Sequence, residues 1–143
     1  MRLAPTADAR EMLADAKALE ANGADALWVD AADADPYVAL GAIAAVTWRP
    51  RLIAAGAPDG DGRTTCDALA RGRLSVAEEL AASGERWIHA AFPDGIEAWQ
   101  SLRRDAIASG ATGIVIPYDE RVVDLLRNPD VVADRSDLNL ATG

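Results

Sequence analysis

The chain is poor in the residues on which most metal and thiol chemistry depends: it has one cysteine, Cys66, and one histidine, His89. A lone cysteine excludes an internal disulfide and a thiolate metal cluster, and a lone histidine excludes a two-histidine zinc motif. Composition leaves a Cys66–His89 nucleophilic pair open beside the plainer reading of Cys66 as a small apolar core thiol. Long apolar runs are also missing. The longest, residues 37–46, is half of the ~20 residues that cross a bilayer, so no membrane partner is expected. The first residues include Pro5 and Asp8 and lack the basic and apolar regions of a secretory signal, which makes a cytoplasmic location the expectation. Basic residues are the minority, 14 Lys and Arg against 23 Asp and Glu, for a net charge of −9. A surface of that sign repels phosphate backbones and argues against nucleic acid as a partner.

What is present is ordinary globular material: 143 residues, half of them apolar, enough for one core. Thr6 is placed to cap a helix over 7–22, with Ala9, Met12, Leu13, Ala16 and Leu19 on its apolar face and Gly23 as its stop. Leu27-Trp28-Val29 reads as a short buried strand. Asp35 followed by Pro36 is a strong helix start, and the run through Val46 is apolar nearly all round, which predicts burial on more than one side. Residues 51–55 read as a strand, 56–63 as a loop, and Thr65 as the cap of a short helix through Ala70. Ser75 with Glu78 has capping-box spacing and predicts a helix over 76–82.

Residues 86–92 read as a strand whose alternation sets Trp87, His89 and Ala91 against Ile88, Ala90 and Phe92. Asp94 with Glu97 repeats the capping-box spacing and opens a helix to Ser109, with Ile96, Trp99, Leu102, Ala106 and Ile107 facing inward. Ile114–Ile116 is the next strand, and Asp119 opens a last helix through Arg127. Residues 21–29 and 108–116 echo each other: both read as a helix stop, a tight turn and a buried strand, the joint of a parallel sheet. The expected fold is therefore α/β, built of repeated strand–helix units with a mainly parallel sheet, as one domain over 1–129 followed by a polar tail over 130–143.

The stretch from Leu19 to Arg73 resembles the luciferase-like family of flavin- or deazaflavin-dependent oxidoreductases and monooxygenases. The likeness is carried by Leu19-Glu-Ala-Asn-Gly-Ala-Asp-Ala-Leu-Trp-Val29, by Asp35-Pro36-Tyr37 and Ala44-Ala-Val-Thr47, by Arg51-Leu-Ile53, and by Asp67-Ala-Leu69 with Gly72-Arg-Leu74. A second patch, Gly95 to Leu126, is similar to that family's last strand–helix units. Together they cover roughly two-thirds of the chain. The resemblance implies a (β/α)8 barrel, a flavin cofactor (FMN or a deazaflavin), and a strand directly after Gly72-Arg-Leu74. A barrel of that kind takes about 250 residues, so this chain would be a shortened member lacking the barrel's middle. Activity, substrate and the role of any residue come from the resemblance only as expectations.

Sites in such folds lie at the carboxyl ends of the strands. Here that rim is acidic: Asp30, Asp33, Asp35, Asp59, Asp61, Asp94, Asp119 and Glu120. Helix capping by Asp35, Asp94 and Asp119 is one reading and a hard-cation site is the other. The stretch from Gly60 to Thr65 is the candidate phosphate cradle for a cofactor, with Gly62, Arg63, Thr64 and Thr65 as its donors, against the alternative of a plain loop. Trp28 and Asp30 share one strand face, and Trp87 and His89 share another. If both faces look into the concave side, Trp28 stacks a flat ring while His89 and Asp30 supply an imidazole and a carboxylate as candidate catalytic groups. A His89 tied to backbone in a packed layer is the competing reading. Too few strands to close a barrel would leave open edges, which predicts a homodimer with Trp48 and Trp99 as candidate contacts. A non-catalytic binding or structural dimer module is the alternative to a flavin enzyme.

Overall fold

The computed structural model describes residues 1–3, 8–31, 35–56, 59 and 61–127. Strands and helices alternate along it: β1 (Arg2–Leu3), α1 (Ala9–Ala21), β2 (Ala26–Asp30), α2 (Pro36–Val46), β3 (Arg51–Ala55), α3 (Arg63–Ala70), β4 (Leu74–Val76), α4 (Ala77–Ala82), β5 (Trp87–His89), α5 (Ile96–Ala108), β6 (Gly113–Val115) and α6 (Val122–Arg127). The strands form one sheet in the order β1-β2-β3-β4 and a second of β5-β6, and each pairing is parallel. Arg2 joins them. Its N–H donates to the Ile116 carbonyl and its carbonyl accepts from the Tyr118 N–H, both at 2.9 Å, around a parallel bridge to Pro117. The spatial order is thus β5-β6-β1-β2-β3-β4, an α/β layout of mainly parallel strands.

The period-two alternation of each strand sorts its side chains onto two faces. Leu27, Val29, Leu52, Ala54 and Ile116 face a large cluster that also takes in Met12, Ala16 and Leu19 of α1, Leu40 and Ile43 of α2, and Val122 of α6. Ala26, Trp28, Ile53 and Val115 face a second, smaller cluster with Leu80 of α4 and the ring of Trp87. Helix α4 therefore sits on the face opposite α1–α3. The Trp87 ring reaches across Gly113 of β6 and meets the Trp28 ring at 5.6 Å, so the smaller cluster joins the two sheets on this face.

Helix α2 fulfils the all-round apolar reading in part. Pro36, Tyr37, Leu40, Gly41, Ile43 and Ala44 are buried, while Val38 is exposed. The Asp35 carboxylate accepts from the Tyr37 N–H at 2.9 Å, as its cap position requires. The carboxyl ends of α2 and α3 leave carbonyls without helical partners, and Arg73 gathers several of them. Its guanidinium donates to the carbonyls of Ala44, Thr47, Pro50 and Ala70 and to the buried Thr47 hydroxyl, at 2.9–3.3 Å. Removal from water pulls the Arg73 pKa down from its usual value.

Several local expectations are corrected. Asp8 is the N-cap of α1, its carboxylate accepting from the Arg10 and Glu11 N–H groups, and the helix begins at Ala9; Thr6 lies outside the described residues. Helix α3 begins at Arg63 with Gly62 at its cap position, so Thr65 lies inside it. Residues 74–76 form β4, paired to Leu52–Ala54 of β3, and the helix starts only at Ala77. Ser75 is a strand residue and makes no capping bond, because the exposed ladder of β3 offers the backbone a partner that the local spacing cannot anticipate. Asp94 does not cap α5; Gly95, at φ +90°, holds the cap position. Ile107 is 73% exposed, and Ile88 and Ile114 are half-buried rather than buried. Strand β5 is confined to three residues of the expected seven.

Candidate functional site

A cleft of about 450 Å³ lies between β2, β5 and α4, lined by Trp28, Ala77, Ala81, Gly84, Glu85, Arg86, Trp87 and His89. Helix α4 forms its roof, because Gly84 turns the chain at φ +90° and returns it straight into β5. Three rings meet there edge to face: Trp28 with Trp87 at 5.6 Å, and Trp28 with His89 at 5.1 Å and 87° between planes. Edge-to-face packing places positive ring edges against negative faces. Trp87 owes its position to Gly113 of β6, where a Cβ would stand 2.4 Å from the ring.

The polar groups of the cleft are unevenly satisfied. The Glu85 carboxylate accepts two bonds from Arg51 of β3, at 2.8 and 3.0 Å, and one from the Trp87 indole N–H at 3.0 Å. The Arg86 guanidinium donates to the Ser109 carbonyl at 2.8 Å. Trp28, 3% exposed, carries a buried indole N–H that finds no acceptor, the one such side-chain atom among the described residues. Leaving a buried donor unmet costs about 1–3 kcal/mol, a cost that native structures rarely carry without a reason. His89 is exposed at the rim, with neither nitrogen hydrogen-bonded among the described residues. The backbone-tied reading of His89 is thereby corrected.

Trp28, Trp87 and His89 thus come together. Asp30 does not join them. Asp30 lies at the carboxyl end of β2 and pairs with Arg2 at 2.7 Å, and it does not line the cleft. The carboxylate that does is Glu85, which sequence reasoning missed along with Arg86 and Arg51. The available signal was the Gly84 stop followed directly by a charged pair and a strand.

Gly62, Arg63, Thr64 and Thr65 lie apart from the cleft, and none of them lines it. The place a phosphate would take at the start of α3 is held by the Asp35 carboxylate, which accepts from the Gly62 N–H at 3.1 Å. A Cβ on Gly62 would stand 3.0 Å from that same oxygen. Arg63 is paired with Glu79 at 2.7 Å, and Thr64 and Thr65 are exposed. An internal anion fills the cradle, so these residues do not fit a cofactor phosphate. Of the acidic rim, Asp33 lies outside the described residues, and no group of three or more metal-binding side chains forms among those described. Asp119 is held at a pKa of about 2 by the hydrogen bonds that Arg121 donates to it.

Cys66 faces the large cluster, away from His89, and burial pushes its thiol up to about 11. A nucleophilic Cys66–His89 pair is therefore not formed. Trp48 is 65% exposed with the Arg71 guanidinium 4.1 Å over its ring, whereas Trp99 is packed against the large cluster. A second cavity, about 330 Å³, lies at the amino ends of β2 and β6 between Trp87, Trp99 and Arg103. No helix among the described residues is long and apolar enough to cross a membrane. No protein-family model, no curated protein and no solved structure matches this chain.

Proposed function

We propose that this chain is a small-molecule-binding α/β domain, laid out as a shortened (β/α)8 arrangement, whose cleft between β2, β5 and α4 takes a flat conjugated ring. The observation that carries the reading is the aromatic wall of the cleft, where Trp28 meets Trp87 at 5.6 Å and His89 at 5.1 Å, edge to face. Aromatic walls with a few convergent polar groups are what ring ligands require. The reading commits to binding rather than turnover. Titrating the protein with lumiflavin, FMN, a deazaflavin and simple bicyclic aromatics, followed by Trp fluorescence, tests it. Saturable quenching by at least one of them is expected, with FMN no tighter than lumiflavin because the phosphate has no cradle. Absence of any saturable signal up to millimolar ligand overturns it.

A luciferase-like flavin- or deazaflavin-dependent oxidoreductase is the second reading. It is favoured by one observation, the β4 strand at 74–76, which the family resemblance implies and the local capping pattern does not. Turnover of a reduced flavin, lost in His89→Asn, would move the conclusion to that reading. In either case a homodimer is the proposed assembly, since among the described residues β4 and β5 each pair on one side only and leave edge groups to cover. Light scattering at micromolar concentration checks this: a mass of 15.0 kDa would mean that the chain closes its own edges.

A further inference from the structure

We propose, resting on the homodimer reading above, that a second copy of this chain docks on the outer face of α2 and α3, the two α2 helices crossing antiparallel about a two-fold axis. Four large apolar side chains are exposed among the described residues, and three of them, Val38 (70%), Trp48 (65%) and Leu69 (44%), belong to this one region. Helix α2 carries no charged residue along its length. A helix apolar all round belongs in an interior. Here the exposed Val38 and Ala45, with the half-buried Ala42 between them at helical spacing, leave a stripe facing out. Leu69 continues the stripe from α3, lying against Gly41, where an added Cβ would stand 3.5 Å from it. Trp48 closes one end, with the Arg71 guanidinium 4.1 Å over its ring.

Charge decides what covers the stripe. The two helices run parallel: the Asp35 carboxylate at the start of α2 accepts from Gly62 at the start of α3, and Arg71 at the end of α3 lies over Trp48 just past the end of α2. Asp59 and Asp61 are exposed at the first end, and Arg49 and Arg71 at the second. An antiparallel two-fold contact sets the basic end of each copy against the acidic end of the other and lays apolar stripe on apolar stripe. That is the self-complementarity an isologous interface requires. A parallel crossing would set like charges together. Asp67, one turn before Arg71 and also exposed, offsets part of the basic end, so the stripe carries most of the contact. The net charge of −9 opposes association only weakly, because exposed charges beyond about 8 Å are screened at physiological salt.

Sedimentation equilibrium of the full chain at micromolar concentration tests the surface, and native protein is expected at twice its 15.0 kDa. Val38→Glu places a charge on the stripe and should weaken the dimer about tenfold or more, with the far-UV circular dichroism unchanged. Arg71→Glu should weaken it less, and adding Asp61→Arg to the same chain should restore it, because each exchange is made twice across the axis. Ala42→Cys should form an intermolecular disulfide on mild oxidation, since position 42 meets itself near the axis, whereas Glu97→Cys on α5 should not. Cys66 is buried and does not compete. If Val38→Glu does not fold, the Ala42→Cys cross-link carries the test alone. A native dimer that is indifferent to Val38→Glu, or that fails to cross-link through Ala42→Cys, overturns this surface and returns the contact to the sheet edges. Failure of Asp61→Arg to restore the Arg71→Glu dimer overturns the antiparallel crossing. Native protein at 15.0 kDa overturns the homodimer with it, and none of these results touches the cleft.

Discussion

The two halves of this chain are built from the same unit but to different depths. In β2, α2 and β3, Leu27, Val29, Leu40, Ile43, Leu52, Ile53 and Ala54 are all fully buried. Strand β5 has no buried residue, α5 buries only Ala106, and Ile107 on that helix faces water. The cause is topological. Strands β2 and β3 are each flanked by two neighbours and covered by α1–α3, whereas among the described residues β5 pairs only with β6, over three residues. The cleft lies on the seam, with one wall from the deep half (Trp28) and the other from the shallow half (Trp87 and His89). A site at such a seam combines one rigid wall with one that opens at lower cost, since local stability follows local burial.

Substitution can break that comparison. Leu40→Ala, in the deep half, should cost about 3–5 kcal/mol, and Leu102→Ala, on half-buried α5, about 1–2, because truncation cost follows the cavity left behind. Urea unfolding measures both, and equal losses would mean that the halves are equally packed. Gly113→Ala sharpens it at the seam. The added methyl cannot fit 2.4 Å from the Trp87 ring, so the ring must move, at about 1–3 kcal/mol, and the edge-to-face contact with Trp28 should be lost from the near-UV circular dichroism. An unchanged spectrum would place Trp87 elsewhere.

The smallest effect concerns the deep half at high pH. Burial raises the Cys66 thiol to about 11, above its unfolded value near 9. Folded protein therefore holds the proton more tightly, so this contribution to stability is complete below pH 9 and is lost as pH rises from about 9 to 11. Cys66→Ser should flatten that slope. In native protein at pH 8 the thiol should resist aromatic disulfide reagents until urea unfolds the chain, and rapid native labelling would contradict its placement in the core.

Much of the deep half was legible in the sequence. Strand β3 spans the residues read as a strand, and the Asp35-Pro36 start of α2 does what its chemistry dictates, because both signals are local. Strand β4 was not legible from local spacing. Ser75 and Glu78 have the spacing of a helix start, and only the neighbouring ladder of β3 makes 74–76 a strand. The cleft was half legible. Alternation puts Trp87 with His89 and Trp28 with Asp30, but the meeting of those rings depends on the bare Gly113 of β6 that Trp87 crosses, and the choice of Glu85 over Asp30 as lining acid depends on where α4 crosses. Neither is written in any window of sequence shorter than the contacts themselves.

The central claim is that a flat ligand enters the cleft beside Trp28. The direct measurement is the amide-region NMR spectrum of the indole N–H groups of the four tryptophans, assigned by single Trp→Phe substitutions and followed through a titration with lumiflavin. The Trp28 and Trp87 signals should shift under the ring current of the ligand, while Trp48 and Trp99, outside the cleft, stay in place. Saturable shifts at Trp48 or Trp99 with Trp28 unmoved, or no shift at all, would contradict it.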